Sequence, residues 1–251
     1  MKKKIKGICR ICKEEKELSF EHIPPRSSFN KGRWQSIPSS KYYQNLENFL
    51  KEDFKYKGKI KQGGIGEYSL CIECNNQLGA NYVNEYKKFS HIAMSIISEE
   101  KHSKVKCFQF DISDINHLYF LKQIIAIFVS ANSPEFTESY PELLDFIKDK
   151  ESNLLPNRYR IYMYLNNEGQ IKNGKFSFTN KHGVICEFTY PPFGFVLSID
   201  NPNRIMEVSE ITNFKYYNEY IKKLEKAPIM LNKYPTYYPF PLDFRELNES
   251  M

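Results

Sequence analysis

Two Cys-x-x-Cys pairs, Cys9-Arg-Ile-Cys12 and Cys71-Ile-Glu-Cys74, restrict what this chain can fold into. Four thiolates in two such pairs match the ligand set of a closed, tetrahedral structural zinc site. A site of that kind holds residues 9 to 12 against residues 71 to 74, so the 58 residues between Cys12 and Cys71 must leave and return. The other two cysteines, Cys107 and Cys186, stand alone and read as small core residues. That usage suits thiolate ligation in a reducing compartment better than a disulfide framework.

A chain of 251 residues has room for a zinc-held module and a second, conventionally packed domain. No apolar run reaches the ~18 residues of a membrane span, and the Lys-rich start lacks the apolar segment of a secretory signal. The expectation is a cytoplasmic protein with no membrane partner. Charge is divided unevenly. Residues 1 to 110 carry 21 Lys and Arg against 12 Asp and Glu, a net +9, whereas residues 111 to 251 carry 15 against 18, a net −3. The basic half holds both cysteine pairs. Such an excess is the footprint of a module that approaches phosphates, or of a solvated basic surface.

Residues 1 to 8 read as a basic tail leading into the first pair, and Lys16 to Ile23 as a strand carrying Leu18 and Phe20 inward. Pro24-Pro25 ends the strand and leaves His22 at a stiff exit. Residues 26 to 62 form a basic insertion with Arg26, Lys31, Arg33, Lys55, Lys57, Lys59 and Lys61, interleaved with Trp34, Tyr42, Tyr43, Phe54 and Tyr56. That mixture suits contact with a nucleic-acid backbone and bases, or packing of the insertion onto its own module. A short helix is expected within residues 45 to 54. Gly63-Gly64-Ile65-Gly66 reads as a turn into a second strand, and from Cys74 onward Leu78, Tyr82, Tyr86 and Phe89 recur at helical spacing.

The character changes after Lys106, which sets the expected boundary: residues 1–106 as the zinc-containing domain and 107–251 as an α+β domain of unknown role. In the latter, Ser113 or Asp114 caps a helix through about Ala131 that is apolar around most of its circumference and therefore buried. A second helix covers 141 to 150. Strands follow at 159–165, 175–179, 184–190 and 193–199.

The order Cys9-x-x-Cys12, Glu21-His22-Ile23-x-Pro25 and Cys71-x-x-Cys74-Asn75 resembles the zinc-containing branch of the HNH endonucleases over about residues 7 to 90. The resemblance implies a ββα-metal fold in which His22 is the general base, Glu21 a ligand of the catalytic divalent metal and Asn75 the ligand borne by the helix. The chemistry agrees with that assignment. A neutral imidazole is suited to activating water near neutral pH. Carboxylate and amide oxygens suit Mg²⁺ or Mn²⁺, which keep waters and accept a phosphate oxygen. Adjacent strand residues face opposite ways, so placing Glu21 and His22 at one site requires the alternation to relax at the strand exit. The chain departs from the family where a bracing Asn is expected on the second strand: that position is Gly66, with Glu67 and Gln62 as neighbouring substitutes.

The expectation is thus an α+β protein, a small zinc-stabilised ββα-metal domain followed by a mixed helix and antiparallel-strand domain. It would hydrolyse DNA phosphodiester bonds, in defence or restriction, with structural Zn²⁺ on Cys9, Cys12, Cys71 and Cys74 and catalytic Mg²⁺ or Mn²⁺ on Glu21 and Asn75. Arg26, Lys31, Arg33, Lys55, Lys57, Lys59 and Lys61 would meet the nucleic acid, and residues 107–251 would receive a second copy or a protein partner. The readings from other classes are a zinc-stabilised nucleic-acid-binding protein without catalysis and an interaction adaptor.

Overall fold

The computed structural model describes residues 4–36, 41, 44–49, 58–100, 104–166, 172–173, 177–179, 183–217 and 227–234. Its first sheet has the order β1 (Ile5–Ile8), β2 (Glu15–His22), β5 (Gly66–Cys71), with both pairings antiparallel. Residues 5 to 8, expected as a tail, are therefore an edge strand, Ile5 opposite Leu18 and Ile8 opposite Glu15. Between β2 and β5 the chain makes a separate ribbon of β3 (Arg33–Ser36) and β4 (Lys59–Gln62), Trp34 opposite Lys61, and a short helix α1 (Leu46–Phe49).

Helix α2 (Ile72–Glu99) follows β5 directly. Its buried stripe of Leu78, Tyr82, Tyr86, Phe89, Ala93 and Ile97 is the one its helical periodicity predicts. That stripe meets the buried helix α3 (His117–Ala131), where Tyr86 stacks on Phe120 with centroids 5.9 Å apart. The cap of α3 is Asn116, whose Oδ1 accepts from Tyr119 N at 3.1 Å, and not Ser113 or Asp114.

Helices α4 (Pro134–Ser139) and α5 (Glu142–Lys148) come next. The buried ammonium of Lys122 on α3 donates to the Phe146 carbonyl oxygen and, at 2.8 Å, to that of Asp149. It thereby satisfies carbonyls at the end of α5 that have no helical partner. A second sheet has the order β12 (Ser209–Glu210), β7 (Tyr159–Leu165), β11 (Phe193–Ile199), β10 (Gly183–Tyr190), β8 (Lys172–Asn173), and β9 (Ser177–Thr179) pairs with β10. Strand β6 (Cys107–Asp111) pairs with β13 (Pro228–Asn232). A 3₁₀ turn occupies Thr212–Tyr216. The described chain is α+β, and none of its helices is long and apolar enough to cross a membrane.

The two sides of residue 106 share a core. One cluster of buried side chains runs from Cys9 and Leu70 through Tyr86 and Phe120 to Phe195 and Leu231. Polar ties accompany it: Lys13 Nζ donates to Pro134 O at 2.9 Å, Tyr82 Oη to Ile147 O at 2.8 Å, and Tyr190 Oη to Phe29 O at 3.0 Å. The region of the two cysteine pairs is thus packed into the rest of the protein.

Candidate metal centre and the His22 loop

Cys9 and Cys12 lie on the turn between β1 and β2, Cys71 at the end of β5 and Cys74 in the first turn of α2. Hydrogen bonds shape the turn, Cys9 N to Glu14 O and Lys13 N to Cys9 O, both 2.9 Å, with Lys13 left-handed at φ 63°. Arg10 N donates to Ser69 O at 3.0 Å and docks the turn on β5. The four Sγ atoms lie within 4.8 Å of one another, and Cys12 Sγ is 4.0 Å from Cys71 Sγ. A zinc tetrahedron with Zn–S bonds of about 2.3 Å has S···S edges of about 3.8 Å, so the thiols are arranged to hold a metal ion of that kind.

The electrostatics agree. Burial pushes the Cys9 thiol up, but the N–H groups of Cys71, Cys12 and Ile11 outweigh it and bring Cys9 down to about 7. Cys71 N is 3.3 Å from Cys9 Sγ. Burial raises Cys71 to about 11 and raises Cys74 as well. Those two thiols ionise readily only with a cation beside them.

Register decides the fate of Glu21 and His22. Leu18 pairs with Cys71 and Ser19 with Leu70, then Phe20 with Tyr68, Glu21 with Glu67 and His22 with Gly66. The extra residue of this bulge is Ser69 on β5, and from Ser19 to His22 β2 alternates, with Ser19 and Glu21 on one face and Phe20 and His22 on the other. Glu21 turns inward. Only 8% exposed, it accepts from Ser69 Oγ at 3.2 Å. Burial lifts its carboxyl to about 7 against the opposing influence of the Ser130 and Ser69 hydroxyls and the Arg10 charge. Arg10 Nη2 also contacts Glu67 Oε2 at 3.3 Å.

Phe20 and His22 turn outward. The inward placement expected of Phe20 is corrected: its ring is 38% exposed, and the inward positions after Leu18 belong to Ser19 and Glu21. The physical reason is that the interior here is polar, with Ser69, Ser130 and Arg10 available to a carboxylate. Asn75, in the first turn of α2, donates from Nδ2 to Ser19 Oγ at 3.0 Å. It therefore reaches the Glu21 face of β2. The structure gathers the four cysteines, and it sets His22 on the opposite face of β2 from Glu21 and Ser19.

His22 is held by a loop that the sequence does not advertise. Its Nε2 is 3.0 Å from Gly63 O. A carbonyl only accepts, so Nε2 carries a proton, and in the neutral ring the lone pair lies on Nδ1. Gly63 and Gly64 both donate to Gly32 O, at 2.8 and 3.1 Å, joining this turn to the β3–β4 ribbon. Both have positive φ, and a Cβ on Gly64 would come within 3.0 Å of His22 Cδ2.

Asn30, fully buried, braces the whole arrangement. Its Nδ2 donates to Pro24 O and Ile65 O, and its Oδ1 accepts from Ile65 N, each at 2.7 Å. A side chain at Gly66 cannot do this, because its Cβ would fall on the Glu21 carbonyl oxygen. The bracing amide expected on the second strand thus stands on the loop after the first. His91 of α2 completes the support, with Nε2 3.0 Å from Ser27 O and its ring 4.7 Å from Phe29.

Of the basic set, Arg26, Lys31, Arg33 and Lys59 are exposed and Lys61 is half-buried. Lys55 and Lys57 lie outside the described residues, as do Tyr42, Tyr43, Phe54 and Tyr56. Trp34 packs edge-on against Tyr190 at 5.7 Å, so it anchors the ribbon to the second sheet. In comparisons with known proteins, no family model matches the chain, no curated protein matches it, and no solved structure matches it.

Proposed function

We propose that the protein is a zinc-stabilised nuclease of HNH type that hydrolyses phosphodiester bonds of DNA, with His22 as its general base. The observation that carries this reading is the fixed imidazole: Nε2 committed to Gly63 O, Nδ1 left as the lone-pair nitrogen, at a braced strand exit beside a basic ribbon. The four-cysteine frame supports it by pinning β5 and the start of α2 to the turn that precedes β2.

The step follows from those groups. Water attacks phosphorus as Nδ1 of His22 takes its proton, and the P–O ester bond breaks with the leaving oxygen protonated from solvent. Exposed Arg26, Lys31 and Arg33 neutralise the phosphates flanking the scissile bond. Mg²⁺ or Mn²⁺ is the cation that the HNH resemblance assigns to Glu21 and Asn75. As placed, the Glu21 carboxyl is committed to Ser69 in the interior and does not meet His22. The residues do not form an oxygen site next to the base, and no step is routed through the cation.

The burial of Glu21 favours a second reading, a zinc-stabilised nucleic-acid-binding protein without catalysis. Incubation of end-labelled DNA with zinc-loaded protein, metals varied, separates the two. Cleavage by the wild type that His22→Ala loses by about 100-fold or more, with zinc content unchanged, supports the nuclease. Salt-dependent binding that leaves DNA intact with every metal supports the second reading.

A further inference from the structure

We propose that the outer face of the first sheet is a stacking platform for unpaired bases, so that the substrate is single-stranded nucleic acid; this rests on the nuclease reading above. Three rings share that face. Tyr68 is 45% exposed and Phe20 38%, and they meet edge-to-face with centroids 5.4 Å apart. The His22 ring stands edge-on to Phe20 at 5.1 Å. Single exposed apolar residues are ordinary, but a contiguous aromatic surface ending at the proposed base is not explained by packing.

The neighbouring charge identifies the occupant. The glycine turn that holds His22 is hydrogen-bonded to Gly32, which joins it to the ribbon carrying exposed Lys31 and Arg33. Two of the three acidic side chains near the start of β2 are paired, Glu17 with Lys4 and Glu14 with Lys16, both at 2.8 Å, and Glu15 is exposed. Aromatic faces beside cations are how proteins take single strands without reading sequence, because every base offers a π-face. A duplex keeps those faces inside its own stack and presents only base edges and phosphates. A single strand crossing from the ribbon to Phe20 and Tyr68 would lay its bases on the rings and bring a phosphate past His22.

The test is binding by the zinc-loaded full chain with no other divalent cation, read by fluorescence anisotropy. The probes are labelled oligothymidylate, oligouridylate and a mixed-sequence duplex of equal length. The expected result is that at least one single strand binds about tenfold more tightly than the duplex, and that Phe20→Ala and Tyr68→Ala each weaken it by about tenfold while leaving duplex binding unchanged. Phe20→Leu, which keeps apolar bulk without a ring, should lose as much as Phe20→Ala. The two single strands separate DNA from RNA as the source of the bases. Equal affinity for duplex and single strand, or wild-type affinity in both ring variants, overturns the platform. Failure of the platform and failure of the nuclease reading give different results. Ring-dependent single-strand binding without cleavage sinks the nuclease and leaves the platform, whereas His22-dependent cleavage with ring-independent binding does the reverse.

Discussion

Asn30 closes a two-point clamp on Ile65, accepting from its N–H and donating to its carbonyl, each at 2.7 Å. Its second amide proton holds Pro24 O at the same distance, two residues beyond His22. Asn30→Ala would strand two backbone groups, Pro24 O and Ile65 N, while Ile65 O keeps the Ile23 N–H at 3.0 Å, and losses of that kind total about 2–4 kcal/mol. We expect the urea midpoint to fall accordingly. At temperatures well below melting, where the variant is still folded, cleavage should fall by about tenfold or more, because the loop positions the base. A variant with wild-type rates and lowered stability would make Asn30 structural only.

The shared core makes the metal frame a property of the whole chain. Cys12→Ser leaves three thiolates, and the lost binding energy is folding energy, at least about 3 kcal/mol. Chelation of the wild type should lower one cooperative transition seen alike by near-ultraviolet circular dichroism and Tyr fluorescence. Two separate transitions, one insensitive to chelator, would show that the region after residue 106 folds independently.

Glu21→Gln tests the interior placement of that carboxyl. Its folded value is raised to about 7, above the unfolded carboxylate, so wild-type stability declines as pH rises from about 4.5 to 7. The Gln variant has no such slope. Its melting temperature should exceed that of the wild type at pH 8 by an amount that disappears towards pH 4, and the metal dependence of cleavage should be unchanged. Loss of metal-dependent cleavage in this variant would mean that Glu21 turns out to bind the cation.

His117 opposes that trend. Burial at the start of α3 against Phe214 and Tyr217 lowers it to about 4. Its folded value lies below the unfolded one, so its contribution is intact above about pH 6.5 and is lost as pH falls towards 4, about 3 kcal/mol in all. Denaturant melts across that range should show His117→Gln closing its stability gap to the wild type as the pH drops. A gap independent of pH would place the His117 ring in contact with solvent.

The cysteine frame was legible because ligand spacing is a local pattern that survives any detour of the chain. Helices α2 and α3 and strands β7, β10 and β11 were legible because long periodic or apolar runs leave little choice of partner. The phase of β2 was not. Leu18 packs against the core as the apolar pattern suggests, but beyond it the inner positions fall to Ser19 and Glu21 where Phe20 looked like the inner residue. The choice was made by Arg10, Ser69 and Ser130, which give Glu21 a polar interior and are dispersed along the chain. Asn30 escaped notice for a related reason: its partners are backbone groups of Pro24 and Ile65, which no side-chain pattern encodes. The Gly63 carbonyl that fixes the His22 tautomer is equally silent in sequence.

The role of His22 as general base is tested most directly by chemical rescue of cleavage in a His22→Gly variant with added imidazole. His22→Gly should lose about 100-fold or more in single-turnover cleavage, and cleavage should rise with imidazole concentration, following its neutral form. Zinc content and circular dichroism should match the wild type. Cleavage at the wild-type rate in His22→Gly without imidazole would contradict the assignment of the base.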